Sequence, residues 1–372
     1  MKILFFITSL DVGGAERQVL DLAQRLQTLG HKVKVAYLTG DGTLLSNEVS
    51  VEIIGFNIGK TIGGLAKSFF LLRRLIKEFA PDVLHSHMIH ANLLARCVRV
   101  VTYVPKLICT AHNTNEGGKL RMLAYRLTSS LADLTTNVSY DGVRAFEAKG
   151  AVKPGSMLTV PNGIDTDRFR FDESKRSFIR DRERVLSCEK IVLAVGRLTE
   201  AKGYPELLRA FAVLSVADQD LRLWIIGDGI LKQKLIFLAE SLQISHRVTF
   251  YGIRNDVADF YSAADLYVLS SLWEGFGLVV AEAMATERVV VATDCGGVRD
   301  VVGNQGILVA PTDVIGLAAA MRSGLDIELS AARELGKLAR QRILETYSLE
   351  KIVVNWIDLY SSGSELSDKK IS

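Results

Sequence analysis

Two carboxylates eight residues apart form the most specific chemical pattern in the chain. Glu274 lies in a glycine-rich stretch that ends at Gly277, and Glu282 lies in the apolar run that starts at Leu278. A buried carboxylate is costly unless something pairs with it, and a ribose diol is a natural hydrogen-bond donor to Glu282. Glu274 is placed to meet a sugar hydroxyl, while the helix-start amides of Gly277 and Leu278 meet phosphate. A capped helix with a purely structural role is the alternative.

Two cations lie between a predicted strand and a predicted helix in the same half of the chain. Arg197 follows the apolar run that ends at Val195, and Lys202 precedes Gly203 just before the helix. A guanidinium offers a planar fork, an ammonium offers a point charge, and helix-start amides offer fixed dipoles. Together these groups suit a diphosphate; a loop of solvated cations is the alternative.

A glycine pair opens the first predicted helix. Gly13 and Gly14 follow the strand predicted at Lys2–Thr8, and glycines at such a place let backbone amides approach an anion. The stretch lacks the G-x-G-x-x-G spacing of dinucleotide-binding sites, so NAD binding is not supported. A tight turn that needs small residues is the alternative.

Four histidines are expected just beyond strand ends: His85, His87, His90 and His112. Imidazole is a common zinc ligand, but no carboxylate or cysteine cluster completes a site, so we expect no metal. For His85 the alternative is a buried, hydrogen-bonded core residue. His112 is flanked by polar residues and is the better candidate for contact with a substrate.

The elements that must position these residues alternate along the chain. Short Val- and Ile-rich runs are followed by stretches of helical periodicity, which is typical of βαβ units and parallel sheets. The alternation breaks in the charge-crowded stretch 165–176 and then restarts. We therefore expect two doubly wound α/β domains, residues 1–166 and 167–348, with ligands at the carboxyl ends of strands.

Two triplets match the D-x-D pattern with which metal-dependent nucleotide-sugar enzymes of one common fold bind their metal. They are Asp165-Thr166-Asp167 and Asp218-Gln219-Asp220. The first falls in the domain junction and the second in a helix-to-strand loop, so we interpret both as accidental.

Composition excludes several classes of protein. The chain has 372 residues, of which 48% are hydrophobic and 23% charged, so disorder is excluded. No apolar run is long enough to span a bilayer, and the apolar start meets Asp11 too early for a signal peptide. The four cysteines are scattered without Cys-x-x-Cys spacing. This pattern argues against a disulfide scaffold and favours the cytoplasm.

Charge is divided unevenly between the two halves. Up to residue 166 there are 19 basic and 13 acidic side chains, a balance of +6, and beyond it 26 and 29, a balance of −3. The basic first half favours an anionic ligand or surface on that side.

Nine motifs occur together in the order typical of one family. They are the Gly-Gly-Ala-Glu turn, His85-x-His87, His112, Pro161-Asn162-Gly163-Ile164-Asp165, Gly196-Arg197-Leu198, Lys202-Gly203, Gly227-Asp228-Gly229, Glu274 and Glu282. They cover about residues 3–310, and the sequence resembles the retaining GT-B glycosyltransferases, which include sucrose synthases, phosphatidylinositol mannosyltransferases and many bacterial polysaccharide enzymes. The resemblance implies two Rossmann-like domains facing across a cleft. It also implies a C-terminal crossover helix, about 349–372, that returns to the first domain, and a metal-independent reaction without a cofactor.

The resemblance also implies roles in the second domain. Arg197 and Lys202 would hold the donor diphosphate and offset charge on the leaving group. Glu282 would hold the ribose and Glu274 the transferred sugar. The loops at Gly227 and Gly252 would border the base, with Gly277 and Leu278 at the donor phosphates.

In the first domain, the resemblance places Gly14 near phosphate or acceptor. His112 would lie against the sugar, with its imidazole or backbone carbonyl near the anomeric carbon. Retention without an evident carboxylate nucleophile is usually explained by front-face displacement.

Two positions depart from the family pattern. After Met284-Ala285 the family usually has a glycine and then a proline before the next strand, whereas this chain has Thr286-Glu287-Arg288-Val289. Asp300 stands where glutamate is usual. The first change alters a helix end beside the expected donor site.

These observations lead to one functional hypothesis and two alternatives. We expect a glycosyltransferase that moves a sugar from a nucleoside-diphosphate donor, UDP favoured over GDP, to a glycan or polyprenyl- or lipid-linked acceptor in cell-surface polysaccharide or glycolipid synthesis. The alternatives are a GT-B sugar-nucleotide epimerase or hydrolase, and a non-catalytic nucleotide-sugar-binding protein. We expect no nucleic-acid partner.

A basic helix is a candidate membrane contact. Arg73, Arg74 and Lys77 lie on the helix predicted at Leu65–Phe79, whose other face is apolar. Docking on anionic lipid contributes about 1 kcal/mol per basic residue, which would place the protein peripherally on the cytoplasmic face of the membrane. An ordinary core-packed helix with a solvated basic face is the alternative.

Overall fold

The computed structural model describes residues 1–11, 13–40, 50–58, 62–114 and 117–362. Packing divides the chain into two compact units. The first comprises Met1–Gly163 and the segment that begins at Leu349, and the second comprises Ile164–Ser348. No helix within these described ranges is long and apolar enough to cross a membrane.

The first unit is built on a seven-stranded parallel sheet with the order β3-β2-β1-β4-β5-β6-β7. Its strands are β1 (Lys2–Ser9), β2 (Lys32–Thr39), β3 (Glu52–Gly55), β4 (Val83–His87), β5 (Lys106–Ala111), β6 (Leu134–Asn137) and β7 (Met157–Thr159). Its helices are α1 (Gly14–Thr28), α2 (Ile62–Phe79), α3 (Ile89–Arg99), α4 (Lys119–Thr128), α5 (Tyr140–Ala148) and α14 (Leu349–Ser361). Alternate residues of β1 enter two different cores, with Phe5 in the core that holds α1 and α14 and Phe6 in the core that holds α2 and α3.

The second unit is built on a six-stranded parallel sheet with the order β10-β9-β8-β11-β12-β13. Its strands are β8 (Lys190–Val195), β9 (Leu221–Ile226), β10 (Val248–Gly252), β11 (Leu266–Leu269), β12 (Val289–Thr293) and β13 (Ile307–Val309). Its helices are α6 (Glu173–Arg182), α7 (Tyr204–Ala217), α8 (Lys232–Ser241), α9 (Val257–Ala263), α10 (Leu278–Ala285), α11 (Val298–Val302), α12 (Val314–Leu325) and α13 (Leu329–Tyr347). Because neighbouring strands are parallel, the loops that follow them emerge at one edge of the sheet.

The predicted fold class, two Rossmann-like parallel-sheet units, is confirmed. Four helices were not expected from the sequence: α3, α5, α6 and α11. The buried side of α3 includes Asn92 and Arg96, which interrupt its apolar periodicity. α6 lies in the charge-rich stretch, where only Ile179 of the helix is buried.

Candidate active site

Three glycine-containing loops of the second unit are joined by backbone contacts at the carboxyl ends of β8, β9 and β10. The amide of Gly227 donates to Gly252 O at 2.8 Å, and the amide of Leu198 donates to Asp228 O at 2.9 Å. A Cβ on Gly227 would approach Gly196 O to 2.0 Å, so only glycine fits there. The structure thus brings together Gly227, Gly252 and the start of the loop that carries the two cations.

The loop after β8 also packs against the loop after β11. Gly203 has a φ of 58°, and a Cβ on it would lie 2.0 Å from Ser270 O. The amide of Leu272 donates to Ala201 O at 2.8 Å, and the Ser270 hydroxyl donates to Lys202 O at 2.8 Å. These contacts fix the position of Lys202 at the carboxyl edge of the sheet.

Lys202 forms an ion pair with Glu274. The two side chains are only 18% and 12% exposed. The Ser271 hydroxyl donates to the same carboxylate oxygen of Glu274 at 2.8 Å. The structure therefore joins two residues that the sequence placed in separate motifs. Ser271 was not predicted as a site residue, although its place beside Glu274 after a strand end was a usable signal.

The backbone around Glu274 and the start of α10 is closely packed. Gly296, after β12, has a φ of 57°, and a Cβ on it would lie 1.9 Å from Glu274 O. Gly277 has a φ of 90° and immediately precedes Leu278, the first residue of α10. The first amides of α10 therefore lie next to the Glu274 loop, where the helix dipole favours an anion.

The carboxylate of Glu282, a buried residue of α10, contacts a tyrosine that was not predicted from the sequence. Glu282 is 8% exposed. The Tyr261 hydroxyl has one proton to donate and two acceptors within reach, Glu282 Oε2 at 3.0 Å and Val279 O at 3.1 Å. Burial, together with the Glu282 charge, raises the pKa of Tyr261 well above its usual value, so the hydroxyl keeps its proton at neutral pH. Tyr261 supplies the pairing that a buried carboxylate requires.

Arg197 differs from Lys202 in its surroundings. It follows Gly196 at the end of β8 and is exposed. Among the described residues no carboxylate pairs with it. Its guanidinium is consequently available for an anionic ligand at this edge of the sheet.

In the first unit, the glycine turn begins α1 at Gly14, which is exposed. Gly13 is extended, with a φ of −172°. A Cβ on Gly13 would lie 2.3 Å from Glu16 Oε2, and the buried Glu16 accepts a hydrogen bond from Ser9 at 3.2 Å. Gly13 therefore makes room for Glu16, while Gly14 lies at the positive end of the helix dipole.

Two of the histidines lie within a strand, which corrects the prediction that they follow one. His85 and His87 are alternate residues of β4 and share one buried face, whereas His90 lies in α3. The ring nitrogens of His85 bond to Tyr360 Oη at 2.8 Å and Thr110 Oγ1 at 2.7 Å. His85 is a fully bonded core histidine, the alternative considered for it.

His112 follows β5 directly and pairs with His87. His87 Nδ1 and His112 Nε2 are 3.0 Å apart. Burial lowers the pKa of His112 to about 4 and that of His87 well below its usual value, so both rings are neutral at physiological pH. His112 is 8% exposed and His87 1%. Of this pair, His112 retains the larger accessible surface.

Helix α14 covers this histidine face. The Trp356 ring centre lies 4.4 Å from that of His85. A Cβ on Gly163 would lie 2.9 Å from the Cα of Leu349, the first residue of α14. The Gly163 amide donates to Gln18 Oε1 of α1 at 3.0 Å. The Pro-Asn-Gly motif is thus the point where α1 and α14 approach each other.

Within the described ranges, no group of three or more His, Cys, Asp or Glu side chains is arranged to hold a metal ion. In each D-x-D triplet, the first aspartate accepts hydrogen bonds from backbone amides two or three residues further along the chain. Asp165 Oδ1 accepts from the amides of Asp167 and Arg168, and Asp218 Oδ1 accepts from the amide of Asp220.

The two Rossmann-like parallel-sheet units have the architecture of the GT-B glycosyltransferases. The model of the family Glycosyl transferases group 1 matches residues 175–342, and that of Glycosyltransferase Family 4 matches residues 12–168. Together the two matches span most of the chain, and the protein belongs to the group 1 glycosyltransferases.

Relatives of known name are similar over most of their length. An α-1,4-N-acetyl-D-galactosaminyltransferase of Campylobacter jejuni, named for a GalNAc-containing, undecaprenol-diphosphate-linked acceptor, is 29% identical over 96% of this chain and 98% of its own. N-acetyl-α-D-glucosaminyl L-malate synthase of Bacillus anthracis is 29% identical over 75% and 74%. The structure of Anabaena HepE in complex with UDP-glucose superposes with a TM-score of 0.88 at 22% identity, covering 98% of this chain and 100% of that one.

Proposed function

We propose that the protein is a retaining, metal-independent glycosyltransferase that transfers a sugar from a UDP-sugar to a lipid-linked glycan in cell-surface polysaccharide or glycolipid synthesis. The observation that carries this proposal is the meeting of Lys202, Glu274, Arg197 and the start of α10 at one edge of the second sheet. This edge offers two cations for a diphosphate and a carboxylate for a sugar hydroxyl within a few residues of each other.

Different residues of the candidate site bind different parts of the nucleotide-sugar donor. Arg197 and Lys202 bind the diphosphate and stabilise the negative charge that develops on it as it leaves. Glu282, already aligned by Tyr261, accepts hydrogen bonds from the ribose hydroxyls. The amides of Gly277 and Leu278 donate to phosphate oxygens.

The remaining contacts bind the two ends of the donor, the base and the transferred sugar. The backbones at Gly227 and Gly252 border the base. Glu274 accepts from a hydroxyl of the transferred sugar, and Lys202 can then turn from Glu274 toward the diphosphate without leaving a charge unpaired.

The first unit contributes the groups nearest the reacting carbon. His112 lies against the sugar as a neutral imidazole, and Gly14 leaves room for phosphate or acceptor. In the reaction the bond from the anomeric carbon to the diphosphate oxygen breaks, and a bond to the acceptor oxygen forms on the same face. The acceptor hydroxyl proton passes to the leaving diphosphate, so no external base is required.

Names of relatives support the choice of donor and acceptor. A UDP-glucose complex is known for the Anabaena structure, which favours UDP over GDP. The Campylobacter enzyme is named for an undecaprenol-diphosphate-linked acceptor, which favours a polyprenyl-linked glycan as the acceptor.

Incubation of the purified full chain with a panel of UDP- and GDP-sugars and undecaprenol-diphosphate-linked mono- and disaccharides tests the proposal. Proton NMR of the product reads the configuration of the new linkage, and a parallel reaction contains EDTA. We expect transfer from a UDP-sugar with the anomeric configuration of the donor kept and EDTA without effect. An inverted linkage, EDTA sensitivity or turnover of the donor without any acceptor product would contradict it.

Membrane docking by α2 is a separate part of the proposal. Leu72, Leu75 and Ile76 are buried, whereas Leu65 is 58% exposed. Leu65 lies in the first turn of α2, whereas the residues of α2 that pack into the core lie in its later turns.

The basic residues of α2 differ in how freely their charges could reach a lipid surface. Arg74 is exposed and paired with Glu78 at 2.6 Å, which reduces its contribution at a lipid surface. Lys77 is exposed. Phe70, 63% exposed, offers an apolar side chain that can enter the headgroup region beside these cations.

Co-sedimentation with vesicles that contain phosphatidylglycerol tests the docking surface. Charge reversal at Arg73, Arg74 and Lys77 is expected to weaken binding several-fold and to make the remaining binding less sensitive to salt, because the attraction that salt screens has been removed. The matched control reverses three exposed cations of the second unit, Lys234, Arg333 and Lys337. Equal binding of the α2 variant and the wild type would remove the docking proposal.

A further inference from the structure

A small cavity lies beside the His87–His112 pair in the first unit. It has room for about one water molecule. Apolar side chains, among them Leu22, Val138 and Trp356, form much of its wall, and Gln18, His87 and His112 also line it.

Two buried polar atoms at this cavity have no hydrogen-bond partner among the described residues. They are Gln18 Nε2 and His87 Nε2, and their residues are 3% and 1% exposed. Leaving a buried polar atom unpaired costs about 1–3 kcal/mol, so a polar occupant between them is favoured.

The orientation of the Gln18 amide is set by its other contact. Gln18 Oε1 accepts from the Gly163 amide at 3.0 Å, which assigns the oxygen to that side. The side-chain amide nitrogen, Nε2, can act only as a hydrogen-bond donor. The occupant of the cavity must therefore accept a hydrogen bond from Gln18.

We propose that Gln18 and His87 are positioning residues for His112. One water molecule accepts from Gln18 Nε2 and donates to His87 Nε2. His87 then carries its proton on Nδ1 and donates it to His112 Nε2, so His112 carries its own proton on Nδ1. The catalytic consequence rests on the proposed contact of His112 with the sugar; the tautomers do not.

The proton arrangement follows from counting donors and acceptors. Two neutral imidazoles that share one hydrogen bond have two tautomeric arrangements, and the partner of the outer nitrogen selects between them. With Nε2 of His87 protonated, both that nitrogen and Gln18 would be donors toward one water. With Nε2 unprotonated, the water bridges a donor and an acceptor.

The backbone after His87 supports a constrained role for this residue. Met88 has a φ of 70°, a left-handed conformation that a side chain rarely adopts. Its amide donates to Thr110 O at 3.1 Å, which holds the strained residue at the end of β4. A strained backbone conformation persists only where the surrounding structure holds it in place, and such residues are frequent at functional sites.

Imidazole nitrogen NMR on the full-length, ligand-free protein tests the proposal directly. Two-bond proton–nitrogen correlations of 15N-histidine-labelled protein distinguish a protonated from an unprotonated ring nitrogen, and His87→Asn and His112→Asn variants assign the signals. We expect a protonated Nδ1 in both His87 and His112. A protonated Nε2 on His112 in the wild type would overturn the proposal, and this measurement needs no variant in the cavity.

Gln18→Met removes the donor and retains the bulk of the side chain. We expect mixed tautomers for His87 and His112, with kcat lowered about tenfold and the donor KM within about twofold of the wild type. Leu22→Met, a volume-conserving change in the same wall, is the matched control and should leave the tautomers unchanged. Unchanged tautomers in Gln18→Met would overturn the proposal. Lack of sugar transfer by the wild type would instead count against the proposed function and would leave the tautomer result standing.

Discussion

The Lys202 ammonium and the Glu274 carboxylate form an ion pair that joins the loop after β8 to the loop after β11. Ser271 donates to the same carboxylate oxygen. Gly203 allows the backbones of these two loops to pack at contact distance, and Gly296 does the same for the loops after β11 and β12. In the proposed function, a ligand that carries both phosphate and hydroxyl groups would separate this pair.

Loss of either member of this pair should remove most activity. Lys202→Ala and Glu274→Ala are each expected to lower kcat/KM by about 100-fold or more, because each removes a group that acts on the charge or orientation of the reacting sugar. The double variant should lose less than the product of the two single losses, since the residues act together. Steady-state kinetics on the donor measure all three. Lys234→Ala, an exposed lysine on α8, is the control, and activity that persists in both single variants would remove these residues from the site.

The Tyr261–Glu282 hydrogen bond should contribute to donor affinity. Tyr261→Phe leaves the buried Glu282 carboxylate without this donor, and we expect the Kd for UDP to rise up to about tenfold. Calorimetric titration of UDP measures the change. Tyr347→Phe removes a tyrosine hydroxyl that donates to Asp300 O at 2.9 Å and should leave the affinity unchanged. An equal effect of both variants would show that Tyr261 acts through general stability.

Buried neutral histidines should make the first unit sensitive to acid. Burial lowers the pKa of His85, His87 and His112 below the unfolded value of about 6.5, to about 4 for His112. Between these values the unfolded chain binds protons that the folded chain does not. Stability is therefore complete above about pH 6.5 and falls as the pH drops toward the folded pKa, by about 1.4 kcal/mol per pH unit for each histidine.

Urea unfolding between pH 4.5 and 7.5 measures this slope. His85→Gln should reduce the slope by about one proton, whatever its effect on absolute stability. His246→Gln, at an exposed histidine of the second unit, should leave it unchanged. A slope that is the same in the wild type and His85→Gln would contradict the assignment of His85 as neutral in the folded state.

The helix end after α10 carries strain at the position where the sequence departs from its family. Glu287 has a φ of 61°, and the amides of Glu287 and Arg288 donate to Met284 O and Ala283 O, both at 3.0 Å. Glu287→Gly should therefore stabilise the protein by about 0.5–1 kcal/mol. Thermal unfolding measures it. Glu287→Ala removes the carboxylate but keeps the strain, so equal melting temperatures for the two variants would contradict this explanation.

The residues of the candidate donor site were easier to predict from the sequence than the contacts that hold them in place. Arg197, Lys202, Glu274 and Glu282 could be found because each lies in a short motif beside a strand end or helix start. Tyr261 could not, because its hydroxyl reaches Glu282 only through the packing of α9 against α10, 21 residues away in sequence.

The histidine cluster shows the same limit. His112 was predicted from its polar flanks after a strand. The role of His87 depends on the pairing of β4 with β5, where His87 lies opposite Thr110, and on Gln18 from α1. Contacts of this kind depend on strand order and register, which local patterns do not specify.

Calorimetric titration of UDP tests the central claim, a nucleoside-diphosphate site at the carboxyl edge of the second sheet, most directly. We expect wild-type protein and the Lys234→Ala control to bind UDP with the same Kd, and Arg197→Ala to raise that Kd at least about tenfold, because it removes a charge-assisted contact to the diphosphate. Absence of UDP binding, or the same Kd in wild type and Arg197→Ala, would contradict the account.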